Sequence, residues 1–177
     1  MKKYNGFTLL ELLIVIVVIG IIVAIAIPSY TRYVVRAQRV EARDTLQAVA
    51  NLIEQNYRVT RNYKLMADNK TNLSDDIIKN VWHKDKIPAN GDARYEISFV
   101  NGSITENGYT LQAAAVGLQA KRDTDCPYFF YNQSGVKMAS KDNKLPANGS
   151  RDPVSIACWS KLMLSGVYAP LFLWKLG

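Results

Sequence analysis

From Leu12 to Ile27 the chain runs through sixteen residues without a charge, nearly all of them Leu, Ile, Val or Ala. As a helix this stretch spans about 24 Å at 1.5 Å per residue. Adding Phe7–Leu10 brings it close to the ~30 Å hydrocarbon core of a bilayer. Lys2 and Lys3 lie just upstream. The positive-inside rule then holds the N-terminus in the cytoplasm and sends the rest of the chain across. Gly20 interrupts the run, and glycine is tolerated in membrane helices.

One residue complicates this picture. Glu11 stands near the start of the run, where a carboxylate opposes partition into lipid. An ordinary secretory signal, cleaved after the small-x-small "AIA" of Ala24–Ala26, would release a soluble protein beginning at Ile27. The apolar run is longer than the usual signal core, and Glu11 does not suit it. A plain signal anchor accounts for the length but not for Glu11. An ionised residue at a helix centre costs about 2.5–3.5 kcal/mol on insertion scales, and less near the interface, so the anchor stays open.

A third reading uses the carboxylate. The leader "MKKYNG", followed by Phe7, Glu11 and the apolar run, resembles the class III signal of type IV prepilins. The resemblance implies cleavage between Gly6 and Phe7 by a membrane prepilin peptidase, N-methylation of Phe7, and retention of the apolar helix. Glu11 then has a partner in the α-ammonium of Phe7 on a neighbouring subunit, which would favour correct axial register in a filament. The pair can equally form within one chain, because residues 7 and 11 share a helix face. A protonated Glu11 without a role is the remaining alternative.

Past the run, Pro28 removes a helical hydrogen bond and is expected to kink the axis. Apolar periodicity nevertheless resumes. Leu46, Val49, Ala50, Ile53 and Tyr57 fall on one helical face. The spacing predicts one helix from about Phe7 to about Tyr57, roughly 75 Å long. Its second half is amphipathic and must bury its stripe. "ARYEISFV" alternates with Tyr95, Ile97 and Phe99 on one face, and "GYTLQAAAV" with Tyr109, Leu111, Ala113 and Ala115. "YFFYNQSGVKMAS" reads as two strands about an "NQSG" turn. Residues 58–92 read as polar and loop-like, with a short helix around Asp75–Trp82. Antiparallel strands on the helix make an α+β head.

The segments "RYVVRAQRVEARDTLQAVANLIEQNYRVTRNY", "YTLQAAAVGLQAKRDTDC", "YNQSGVKMAS" and "CW" follow the order seen in PilE-type minor pilins. This resemblance covers most of Phe7–Trp159. It implies the type IV pilin fold: a leader at 1–6, a membrane and filament-core half-helix at 7–30, an amphipathic half at 31–58 and a β-sheet head at 59–160. The apolar extension 161–177 departs from the family pattern. It is read either as an added edge strand or partner-docking segment, or as an extension with no fitted role.

The two cysteines, Cys126 and Cys158, make an even count in an exported chain and suggest a disulfide, with two unrelated buried thiols as the alternative. Closing that loop is worth roughly 3.5–4 kcal/mol in the chain-entropy account. In the resemblance, the same pair closes the family's C-terminal loop.

Net charge is +7, or +5 without Lys2 and Lys3 (20 basic against 15 acidic side chains). That balance permits DNA or acidic lipid as a partner without demanding either, and the basic stretch Arg32–Arg43 is read first as a solvated helix face. His83 is the single histidine and reads as a loop or surface residue. There is no CxxC pair, phosphate loop or Asp-rich calcium loop, so neither an enzyme, a cofactor nor a metal site is expected.

The resulting expectation is a minor pilin that acts in pilus assembly or initiation, serving twitching motility, adhesion or DNA uptake. The partners implied are other pilins, the prepilin peptidase, and the inner membrane with its assembly machinery and ATPase. The subunit would sit in the inner membrane as a single-pass protein before joining an extracellular pilus. Rival readings are a type II secretion pseudopilin, a DNA-receptor pilin, and a signal-anchored adhesin or enzyme that never polymerises.

Overall fold

The computed structural model describes residues 8–160; Gly6, Phe7 and the extension 161–177 lie outside it. Helix α1 runs unbroken over Leu9–Thr60, with Pro28 inside it. It ends three residues beyond the expected Tyr57. The chain divides into two compact units, one up to Ala37 and the other from Gln38.

From Leu9 onward the first unit is helix. Its large apolar side chains from Leu9 to Ile27 are exposed on every side; Ile16 is 61% and Ile25 69% exposed. A helix that is apolar all round and covered by nothing is built for a solvent other than water. Thr31 Oγ returns a hydrogen bond to the Ile27 carbonyl at 3.1 Å, one turn back and next to Pro28.

The second unit contains the remainder of α1 and an antiparallel five-stranded meander. Its strands are β1 (Lys86–Ile87), β2 (Tyr95–Phe99), β3 (Thr110–Ala115), β4 (Tyr128–Asn132) and β5 (Lys137–Ser140), in sheet order β1-β2-β3-β4-β5. Two short helices are added, α2 (Gly117–Arg122) and α3 (Pro153–Trp159). The expected stripe is the core: Leu46, Val49 and Ile53 are fully buried and Ala50 nearly so. They join Tyr95, Ile97, Phe99, Leu111, Ala113 and Phe129 in one cluster.

Register keeps these faces aligned. Tyr95 stands opposite Ala115, Ile97 opposite Ala113 and Phe99 opposite Leu111, so the alternation of each strand puts its apolar set on the same side. The β4–β5 turn falls at the expected "NQSG". Asn132 Oδ1 accepts from the Ser134 and Val136 amides, and Gly135 supplies a positive φ of 73°.

Four features differ from the sequence reading, the first being helix α2, Gly117–Arg122, where no element is expected. The stretch expected to be loop contains β1, which pairs with β2 through Lys86–Glu96 and Ile87–Tyr95. A two-residue strand carries no periodicity to detect. The short helix near Asp75–Trp82 is present as a π-helical turn, Ile77–Val81, with Ile77 and Ile78 buried. Helix α3 was not anticipated, although its start is written in the sequence. Asp152 accepts from the Val154 and Ser155 amides, and Pro153 fills the first turn.

Candidate functional site

Two places in the chain carry chemistry beyond packing. The first is the opening turn of α1. Thr8 Oγ accepts from the Glu11 amide at 3.2 Å, and the Thr8 carbonyl accepts from Leu12. Thr8-x-x-Glu11 is the spacing of a capping box, so the helix start is signalled by the sequence itself. Glu11 also lies in the first turn, where the helix dipole favours negative charge. Its carboxylate therefore has local support while it stays on an exposed helix end.

The second place is a buried polar knot in the head. Arg39 donates to Asp123 twice, Nε to Oδ2 at 2.8 Å and Nη2 to Oδ1 at 2.6 Å. Asp123 is fully buried and also accepts from the Tyr95 hydroxyl, Gln119 Nε2 and the Cys126 amide. Five donors on one carboxylate satisfy the charge that burial would otherwise penalise. Burial works to lower the Arg39 pKa, but hydrogen bonding and charge from Asp123 outweigh it and the net shift is upward. Burial, then Asp123, drives the Tyr95 hydroxyl well above its ordinary range.

The last amide in that knot belongs to Cys126, which is bonded to Cys158 with an S–S distance of 2.04 Å. Cys158 sits on α3. Arg43 Nη1 donates to the Cys158 and Trp159 carbonyls, both at 3.2 Å, and the Arg43 guanidinium lies 5.8 Å from the Trp159 ring centre. Burial lowers the Arg43 pKa. Arg39 and Arg43 thus correct the reading of Arg32–Arg43 as a solvated face. Both are buried because each has acceptors waiting on another element. Their partners lie 84 and 115 residues away in sequence, so no local pattern announces them.

A smaller cluster closes the far end of α1. Glu54 accepts from the Tyr63 and Tyr109 hydroxyls, each at 3.1 Å, while Tyr57 stacks on Tyr63. Burial, then the Glu54 charge, pushes the Tyr63 pKa up to about 12.

Around the end of the sheet where β3 and β5 finish, the connecting segments carry Arg94, Lys121, Arg122, Lys141, Lys144 and Arg151. Asp92, Asp125, Asp142 and Asp152 are interleaved with them. The Val116 amide donates to the Arg94 carbonyl, which sets α2 beside the β1–β2 connection. His83 is exposed, at a φ of 51°. Among the described residues no group of three or more His, Cys, Asp or Glu side chains is placed to hold a metal ion.

Comparison with known proteins gives this geometry a family. The family model described as type IV minor pilin ComP, DNA uptake sequence receptor, matches residues 28–130. The chain belongs to this type IV minor pilin family. The model of the prokaryotic N-terminal methylation motif matches residues 1–27 of the same minor pilin.

Among curated proteins, a fimbrial protein of Moraxella nonliquefaciens is 41% identical over 86 residues, covering 48% of this chain and 54% of the relative. The type IV major pilin protein PilA of Myxococcus xanthus is 28% identical over 151 residues, covering 85% and 55%. The chain spans about half the length of these curated relatives. The crystal structure of the Neisseria meningitidis non-core minor pilin PilV aligns at 20% identity with a TM-score of 0.40, covering 63% of this chain and 91% of that one.

Proposed function

We propose that this minor pilin is a structural, non-catalytic subunit of a type IV pilus that waits in the inner membrane through the first half of α1. Cleavage would fall between Gly6 and Phe7, and Phe7 would carry the methylated amine. Glu11 would meet the N-terminal ammonium of a neighbouring subunit and help fix register, and other pilins would be its direct partners. The observation that carries this reading is the bare apolar helix from Leu9 to Ile27, on a chain whose residues 1–27 match the methylation motif. N-terminal mass spectrometry of the mature protein tests it. A methylated Phe7 is the expected start, and a start at Ile27 would overturn the reading in favour of a secretory signal.

The family match favours one role for the assembled subunit. The ComP description names a receptor for DNA uptake sequences, and its match spans most of the head. We infer that the head receives DNA outside the cell, with the cationic side chains of Arg94, Lys121 and Arg122 contributing contacts to phosphates. Binding of duplex DNA should then weaken steeply with salt, because each neutralised phosphate releases counterions. Lys121→Gln with Arg122→Gln should flatten that salt slope by roughly one to two charges' worth. A salt-independent signal, or no difference between wild type and variant, would argue for a role in pilus initiation instead.

A further inference from the structure

The connections of the head carry a chemistry of their own. Five Asn-Gly pairs occur in the chain. Asn5-Gly6 lies outside the described residues; the others begin at Asn90, Asn101, Asn107 and Asn148. In such a pair the glycine amide nitrogen attacks the asparagine Cγ, and the glycine has no side chain to obstruct the approach. The Cγ–N bond of the side chain breaks, ammonia leaves and a succinimide ring closes. Water then opens the ring at either carbonyl and leaves aspartate or isoaspartate. Water is consumed, ammonia is released, and no oxidant or reductant takes part. Each conversion adds one negative charge.

The fold treats the four pairs differently. Attack needs an unengaged amide and room for side chain and backbone to turn toward each other. The Gly149 amide donates to the Pro146 carbonyl at 3.0 Å, and the Arg151 amide donates to the Asn148 carbonyl at 3.1 Å. Gly108 is buried under Gln133, whose side chain lies 2.8 Å from where a Cβ would stand. The Gly108 carbonyl accepts from both the amide and the hydroxyl of Thr105. Asn90, Gly91, Asn101 and Gly102 are all exposed. Nothing lies within 4 Å of a Cβ position on Gly91 or Gly102. Neither of these two glycine amides, nor the Asn90 and Asn101 side chains, has a hydrogen-bond partner among the described residues. Having to break one backbone hydrogen bond first slows such a step up to about tenfold.

The two open pairs sit at opposite ends of the sheet. Asn90 is in the β1–β2 connection, which the Arg94 amide closes by donating to the Ile87 carbonyl at 2.6 Å. Asn101 is in the β2–β3 connection. β2 starts opposite the end of β3, at Tyr95–Ala115, and finishes opposite its beginning, at Phe99–Leu111. The five residues of β2, roughly 16 Å of strand, separate the two connections. Asn90 is therefore at the end that carries Arg94, Lys121 and Arg122.

We propose that Asn90 and Asn101 are self-modifying sites that convert to aspartate or isoaspartate in the folded chain, and that the new carboxylate at Asn90 weakens the hold of the neighbouring cationic side chains on DNA phosphates. The effect on DNA rests on the reading of the head as a DNA receptor; the conversion does not.

For the test, the full chain in detergent micelles is held at mildly alkaline pH, and peptide mapping by mass spectrometry follows each asparagine. Asn90 and Asn101 should convert at least about tenfold faster than Asn107 and Asn148. In denaturant the four rates should draw together, because the reacting pair is the same. Equal rates in the folded chain, or an order led by Asn107 or Asn148, would overturn the sites, and a slow Asn90 or Asn101 would remove that residue. Duplex DNA binding then compares Asn90→Asp with Asn101→Asp, which change the net charge equally. At physiological ionic strength, charges more than about 8 Å apart are largely screened. Asn90→Asp should weaken binding several-fold there, and Asn101→Asp should leave it close to wild type. Equal weakening by the two, or none by Asn90→Asp, would overturn the effect on DNA. Fresh wild type that binds no DNA would bring down the receptor reading and leave the measured conversion rates as they stand.

Discussion

The two halves of α1 share one backbone and obey different rules. From Leu9 to Ile27 the apolar side chains point in every direction and all are exposed; from Ala42 to Ile53 they form a single stripe, and that stripe is buried. The second half belongs to its own head, where Leu46, Val49 and Ile53 meet the sheet residues Ile97, Leu111 and Phe129. The first half lends the head no core side chain. A continuous helix can therefore contain one segment whose sequence is dictated by intramolecular packing and another dictated by an external apolar phase. Period separates them: 3.6-residue periodicity marks the packed half, and uniform hydropathy the bare one.

The sharpest test of that division removes the charge that Arg39, on the packed half, is paired with across the head. Asp123→Ala leaves the buried Arg39 guanidinium without its carboxylate and should cost the head about 3–5 kcal/mol in denaturant unfolding. Next, Leu46→Ala should cost about 2–5 kcal/mol through lost burial and a cavity. Ile16→Ala, an equally apolar truncation in the bare half, should leave the melting transition of the head where it was. A comparable loss from Ile16→Ala would break the comparison.

A smaller effect appears at alkaline pH. The Tyr63 pKa is raised from its ordinary 10.0 to about 12 in the folded head. The folded state then holds a proton that the unfolded state gives up. Its contribution to stability is complete below pH 10 and is lost as pH climbs through 12. Thermal melts between those values should decline more steeply for wild type than for Tyr63→Phe. Smallest of all, Glu11→Ala should not shift the head's melting temperature, and its effect should be confined to incorporation into filaments. Normal incorporation would remove Glu11 from any assembly role.

Most of the head could be read from residue order because its main elements carry a period. The stripe on α1 and the alternation of β2 and β3 are repeated several times within each element, and each appears as expected. The turn at Asn132–Val136 was readable from its residue types. What stayed hidden was either too short or too polar. β1 has two residues and owes its existence to β2. α3 was signalled by Asp152 followed by Pro153, but a seven-residue helix has little room for an apolar pattern. Arg39 and Asp123 look like any surface charges until the fold brings them together, and their burial depends wholly on that meeting. Glu11 is conspicuous because it breaks a uniform run, yet the cap from Thr8, one residue before α1 begins and three before Glu11, shows in spacing rather than in hydropathy.

The bare half of α1 has a thermodynamic consequence for any traffic the chain undergoes. Lipid tails are as apolar as leucine side chains, so moving such a helix from bilayer into a bundle of similar helices changes its solvation little. Two large transfer free energies nearly cancel, and the step sits close to thermoneutral. Near that balance, minor contributions and whatever external work is applied would decide the direction of movement. Because Leu9–Ile27 contribute no side chain to the core of the head, such a transfer would leave that core untouched.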